Sequence, residues 1–308
     1  MEPIIPPVDK ALLEAELTKD KFVRGTNNGN NEIYIVTCYN APNVLRELGR
    51  LREITFRDAG GGTGKSIDVD EFDTSEKPFR QLLVWNPGEK EIIGGYRIEH
   101  GRDIKVDEDG TVHSPTAELF KFSWKFIREY LPYSIELGRS FVQPNYQPQN
   151  NLRKGMYSLD NLWDGLGAIV IDNPDVKYLF GKVTMYPHYN LLARDMILYF
   201  LSTYFPDPEK LMEPIESLPI LTDHSVLKSL FTGKTYEENY KLLIQKVRAL
   251  NESIPPLVNA YMNLSSTMKT FGTALNRGFG NVEETGIIVT IGDILNIKKD
   301  RHMTTYRK

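Results

Sequence analysis

The chain has 308 residues, 41% hydrophobic and 25% charged, ordinary proportions for a soluble globular protein with length for one large domain or two closely packed ones. A net charge of −4 supplies no basic field and argues against a nucleic-acid partner. The single cysteine, Cys38, excludes an intramolecular disulfide and points to a reducing compartment.

The first residues, Met1-Glu2-Pro3-Ile4-Ile5-Pro6-Pro7, lack the basic and apolar regions of a signal peptide. No run approaches the ~18 apolar residues of a spanning helix; Leu191 to Phe205 comes nearest and is interrupted by Arg194 and Asp195. The expectation is a cytoplasmic protein that touches the inner membrane at most peripherally.

In chain order, Asp9 to Leu17 predicts a short helix with Asp9 as its N-cap. Glu32 to Cys38 predicts a strand. Pro42 to Arg57 predicts a helix with an apolar stripe of Val44, Leu45, Leu48, Leu51 and Ile54, and Pro42 suits its first turn. Ala59 to Lys65 is glycine-rich, costly to order, and reads as a flexible lid. The acidic run Asp68-Val69-Asp70-Glu71-Phe72-Asp73 follows. Gln81 to Trp85 and Ile92 to Ile98 predict a hairpin closed by Asn86-Pro87-Gly88-Glu89.

Ser123 to Leu131 predicts a helix stopped by Pro132, and Ser134 to Val142 a strand. Asp160 to Ala168 predicts a helix with Asp160 near its N-cap, Lys177 to Tyr186 a strand, and Tyr189 to Tyr204 a mostly apolar helix. These elements predict an α+β fold with a mixed, mainly antiparallel sheet. After Asp207 the prolines at 208, 214 and 219 mark a connection. Tyr236 to Asn251 predicts an amphipathic helix and Ile287 to Ile291 a late strand able to rejoin the sheet.

Gly60 to Ser66 resembles a phosphate-binding loop, but Ala59 stands where the leading glycine belongs. A helix precedes it and carboxylates follow, the reverse of what a triphosphate needs. The acidic run lacks the glycine and terminal glutamate of a calcium loop. Such runs are usually solvated; here Phe72 offers an aromatic anchor that would hold Asp70 and Asp73 against the fold. Arg97, in an apolar strand, either faces outward or meets a carboxylate. Glu136 and Arg139 are three apart and would face opposite ways in a regular strand. Gly138 permits a bulge that brings them together, either as a structural ion pair or as part of a site. The five histidines are dispersed without metal-ligand spacing, so no metal is expected.

With these residues in view, Asp70-Glu71-Phe72-Asp73, Leu82-Leu83-Val84, Gly94-Gly95-Tyr96-Arg97 and Glu136 to Val142 resemble the hemolysin-like N-acyltransferase family of bacterial ornithine and glycine lipid synthesis. The order of acidic residues and arginines is also similar to that of acyl-homoserine-lactone synthases. Ile254 to Tyr261 and Phe279-Gly280-Asn281 extend the resemblance, which spans roughly residues 50 to 295. Departures occur at Phe79-Arg80-Gln81, at Gly95 before Tyr96, and at Leu264-Ser265-Ser266.

The resemblance implies a Gcn5-related N-acyltransferase (GNAT) fold: a core over residues 1–206, then a mostly helical extension over 207–308. It implies transfer of a 3-hydroxy fatty acyl group from acyl carrier protein to the α-amine of glycine or ornithine, with no other cofactor. Glu136 would be the base. Arg97 and Arg139 would hold the amino acid's carboxylate. Asp70, Asp73 and Phe72 would line the substrate site and orient the arginines. Arg153, Lys154, Lys182 and Arg194 are candidates for a carrier-docking patch. Phe120, Phe122, Trp124, Phe126 and Trp163 either line an acyl tunnel or are plain core. Two other readings remain: an acetyl-CoA-dependent small-molecule acetyltransferase, whose glycine-containing pyrophosphate loop Gln147 to Gly155 does not match, and a non-catalytic lipid- or partner-binding module.

Overall fold

The computed structural model describes residues 1–307. Helix α1 (Lys10–Glu16) is capped by Asp9, whose side chain accepts from the Ala11 N–H. Strands β1 (Phe22–Gly25) and β2 (Glu32–Val36) lead into α2 (Pro42–Asp58), which has proline in its first turn, and then the short α3 (Glu71–Thr74). Strands β3 (Arg80–Asn86) and β4 (Glu91–His100) form the expected hairpin. Next come β5 (Phe120–Phe122), β6 (Ser134–Val142), α4 (Leu152–Gly155), α5 (Ser158–Asp172), β7 (Tyr178–Met185) and α6 (Leu191–Tyr204). The remainder is β8 (Met212–Pro214), α7 (His224–Leu230), α8 (Tyr236–Ala249), α9 (Pro256–Met262), β9 (Lys269–Asn276), β10 (Val282–Thr290) and α10 (Asn296–His302).

Eight strands form one sheet in the order β1-β2-β3-β4-β6-β7-β10-β9. Only β6 and β7 pair in parallel. One face packs on α2 through Leu48, Leu51, Leu83, Trp85 and Phe141. The other packs on α5 and α6 through Leu82, Ile98, Leu137, Leu166, Ile197 and Phe200. A third cluster, with Phe79, Phe120, Phe122, Phe126 and Phe180, lies under the segment between β4 and β6.

Three local expectations change. The helix expected over Ser123 to Leu131 contains a wide π-turn at Phe126–Tyr130 followed by a 3-10 turn at Leu131–Tyr133. The wide turn seats Phe126 edge-on to both Phe122 and Phe180. Asp160 lies inside the first turn of α5, which starts at Ser158, and pairs with Arg301. The glycine-rich segment is strapped down rather than a loose lid. Glu53 accepts from the Thr63 and Gly64 N–H groups (3.0 and 2.8 Å), so these donors are taken and no phosphate cradle exists there. Glu2 and Ile5 N–H groups donate to Gly64 and Ser66 carbonyls across the same loop.

The feature that positions the site is the end of the β6–β7 pairing. It stops at Leu137↔Gly181, although β6 continues to Val142 and β7 stays paired with β10 as far as Met185. The two strands therefore part in the middle of the sheet. Gly181 sits at the fork, where a Cβ would lie 2.2 Å from the Leu137 carbonyl oxygen. Gly181→Ala is expected to lose about 1–3 kcal/mol through this overpacking and to lower the thermal unfolding midpoint by several degrees. An unchanged midpoint would show that the fork does not need the close approach.

Candidate active site

Two side chains reach the fork because β6 is irregular. Gly95 pairs with Phe141 and Arg97 with Gly138, so β6 carries one extra residue opposite β4. The left-handed residue of this bulge is Arg139 (φ +48°), not Gly138. That conformation costs a non-glycine residue about 1–2 kcal/mol and is held by contacts at the tip of the side chain. Arg139 Nε lies 2.8 Å from Asp68 Oδ2, and its guanidinium stacks 4.5 Å from the Phe279 ring. The bulge turns Arg139 to the side of the sheet that carries Arg97 and Glu136.

All three line one cavity of about 60 Å³, together with Thr116, Lys182, Leu257, Phe279 and Glu284. Glu136 is 2% exposed. The Thr116 N–H donates to its Oε1 at 2.9 Å, while Oε2 has no hydrogen-bond partner among the described residues. Lys182, on the cavity wall, pairs with Glu284 at 3.3 Å and donates to the Pro115 carbonyl.

The acidic run is folded against these arginines. Asp70 caps α3 and forms a reciprocal capping box with Asp73, as the Asp-x-x-Asp spacing permits. Arg97 Nη1 lies 2.6 Å from Asp70 Oδ1 and 3.4 Å from Asp73 Oδ2. Arg52 of α2 reaches Asp73 at 3.3 Å and also donates to Gln81, whose amide donates to Asp73 at 2.9 Å. Phe72 packs on Phe79 with ring centroids 5.4 Å apart, and both rings lie beside the Arg97 guanidinium. Three arginines and three aspartates thus balance in charge. Arg97 is buried and already paired, whereas Arg139 and Lys182 keep some exposure on the cavity side.

Sequence reasoning missed Arg52, Asp68, Gln81, Thr116 and Glu284. Arg52 interrupts the apolar stripe of α2 between Leu51 and Ile54, and that interruption was a usable signal. Thr116 and Glu284 carry none, because their partners are distant in the chain. Lys182 belongs to the site rather than to a docking surface. Arg194 is likewise unavailable for docking, buried against Asp195 and Glu283. Lys154 pairs with Glu89, and Arg153 remains exposed.

The aromatic residues do not form one tunnel. Phe120, Phe122 and Trp124 line an open groove of about 760 Å³ that shares no residue with the arginine–aspartate network. Phe126 is core, and Trp163 packs on Tyr261 on the α5 side. We take the small charged cavity as the site because it brings the unpartnered Oε2 of buried Glu136 together with Arg139 and Lys182 at the fork in the sheet.

Burial pushes the Asp73 carboxyl up, but Arg52 and Arg97 outweigh this and hold it below the ordinary carboxylate value of 3.8. A depressed folded-state pKa contributes stability above the unfolded value that is lost as pH falls through the folded one. Asp73→Asn is therefore expected to cost about 3–5 kcal/mol near neutral pH and to flatten the loss of stability below about pH 4. Denaturant titrations at pH 7 and pH 3 check both; a variant as stable as the parent at pH 7 would contradict the network's role.

A family model described as the acetyltransferase (GNAT) domain matches residues 51–155. A glycine N(alpha)-acyltransferase of Bacteroides thetaiotaomicron is 56% identical over 306 residues, covering 99% of this chain and 91% of the relative. A glycine N(alpha)-acyltransferase of Phocaeicola vulgatus is 54% identical over 308 residues, covering all of this chain and 94% of the relative. Among solved structures, the N-acyl amino acid synthase FeeM from uncultured soil microbes aligns at 10% identity and a TM-score of 0.37, covering 89% of this chain and 96% of that one. With more than half of its residues identical over nearly its whole length, this chain belongs to the family of the glycine Nα-acyltransferases and is an acyltransferase with the GNAT fold.

Proposed function

We propose that the protein transfers a 3-hydroxy fatty acyl group from an acyl carrier protein thioester to the α-amine of glycine, as the N-acylation step of aminolipid synthesis. The observation that carries this reading is the unpartnered Oε2 of buried Glu136, in a small cavity that also holds Arg139 and Lys182. An α-ammonium must lose a proton before it can attack a thioester carbonyl. Glu136 takes that proton, directly or through water. The amine nitrogen then bonds to the carbonyl carbon and gives up its second proton as the carbon–sulfur bond breaks; the departing sulfur takes that proton, and the carrier leaves as the thiol. Arg139 and Lys182 bind the amino acid's carboxylate, which fixes the nitrogen toward Glu136.

Arg97 has a different role from direct capture. Burial pulls its guanidinium down, but Asp73 and Asp70 hold it above its ordinary value, so it stays charged. Committed to these carboxylates, it anchors α3 against β4 and steadies the wall behind Arg139. The cavity's small volume supports glycine over ornithine as acceptor, in accord with the names of the 54–56% identical relatives. A carrier protein rather than CoA is supported by the segment between β6 and α5. Its Tyr146, Gln147, Asn150, Asn151 and Gly155 N–H groups are spent on local turns and are not offered to a pyrophosphate. No helix among the described residues is long and apolar enough to cross a membrane. The proposed setting is the cytoplasm, with at most peripheral contact with the inner membrane.

Purified protein with 3-hydroxyacyl carrier protein and glycine is expected to release thiol and N-acylglycine, followed by thiol titration and mass spectrometry. Ornithine is expected to react at least tenfold more slowly; equal rates would remove glycine as the preferred acceptor. Glu136→Gln keeps an acceptor for the Thr116 N–H and removes the base. It should lower kcat by about 10²–10⁴ without changing the unfolding midpoint. A fully active variant would refute the assignment of Glu136.

A further inference from the structure

The charged cavity at the fork has apolar walls as well. The Arg139 guanidinium lies 4.5 Å from the Phe279 ring centroid, and Phe56 meets Phe279 edge-on at 5.0 Å, so both rings belong to the arginine end. Leu137 turns its side chain into the α5-side core, and Pro115 presents its carbonyl to Lys182. The remaining apolar side chain on the wall is Leu257. It packs partly buried against the α5-side core and also borders a second cavity of about 20 Å³ on the other face of the fork. Leu257 therefore stands where the two spaces meet.

The backbone holds this side chain firmly. Pro255 and Pro256 precede it, at the N-cap and first position of α9, and their rings fix the backbone there. On the same helix, buried Val258 and Tyr261 anchor α9 in the α5-side core. A side chain carried in this way has little room to retreat. A packed wall of this kind resists even one added methyl group.

We propose that Leu257 confines the acceptor to glycine by filling the space that a substituent on the α-carbon would need. The proposal rests on the functional reading above and deepens it by naming a residue that sets acceptor specificity. With the carboxylate at Arg139 and Lys182 and the nitrogen at Glu136, two of the four groups on the α-carbon are fixed by charge. In glycine the other two are hydrogens. One of them faces Leu257, and a methyl group in its place overlaps the leucine in a cavity of only about 60 Å³. Rejection of one extra carbon by an apolar wall is on the order of 10–200-fold. Shortening Leu257 joins this cavity to the second one and makes room where the substituent points. Since one α-hydrogen faces Leu257 and the other does not, the relief is confined to one enantiomer of a substituted acceptor.

The test offers glycine, L-alanine and D-alanine to the full chain with a single 3-hydroxyacyl carrier protein as donor. The parent is expected to prefer glycine over both alanines by at least about tenfold in kcat/KM. Leu257→Ala should raise kcat/KM for one alanine enantiomer at least about tenfold, leave the other excluded, and lower the value for glycine, which loses a wall. Leu257→Val removes less volume and should shift the same enantiomer by a smaller factor; it carries the test if Leu257→Ala does not fold. A parent that acylates glycine and alanine equally would overturn the assignment while leaving the acyltransfer reading intact. So would folded variants that still exclude both enantiomers, or that gain equally on both, the mark of a general loosening. Failure of the parent to acylate glycine would remove the functional reading and the assignment with it.

Discussion

The structure depends on one buried arrangement of opposite charges: Arg52, Arg97 and Arg139 against Asp68, Asp70 and Asp73. Its members come from α2, the acidic segment, β4 and β6. Ion pairs of this kind add little net stability, because desolvation consumes most of the Coulombic gain. Their consequence is geometric. An arginine buried without its carboxylates is far more costly than the pair, so the four segments can assemble only in the arrangement that satisfies all of them. The network thereby sets where Arg139 ends, and with it the shape of the cavity.

The bulge in β6 and the fork beside it act together. Without the extra residue, Arg139 would face the α5 side of the sheet, away from Glu136. Without the early end of β6–β7 pairing, neither side chain would adjoin open space. The fork also leaves backbone groups of both strands beyond Leu137 and Gly181 without each other as partners. A sheet rarely tolerates that in its middle, and a functional cleft is a physical reason for it.

The chemistry follows from contrast between the two faces of the fork. On the α2 side, fixed charges and a free carboxylate oxygen suit a zwitterion that must give up a proton. On the α5 side, a second and smaller cavity is walled by Leu137, Leu179, Phe180, Leu257 and Ile287, with Tyr96, Ser140 and Tyr261 among them. Leu257 borders both, and α9 carries it into place alongside Tyr261. The late part of the chain therefore completes the site, and β10 lies within the main sheet between β7 and β9.

The sequence by itself determined the local elements: the capped first helix, the amphipathic α2, the hairpin β3–β4, and the segment that becomes β6. Period and turn chemistry suffice for those, because they are decided within a few residues. It also marked Asp70, Asp73, Arg97, Glu136 and Arg139 by their placement beside apolar runs and glycines. Only the tertiary structure decided which charges meet which. Arg52 with Asp73, Thr116 with Glu136, and Lys182 with Glu284 join residues between 20 and 102 positions apart. No local pattern encodes such pairings. They follow from strand order, from one extra residue in β6, and from the close approach that a missing Cβ at Gly181 allows.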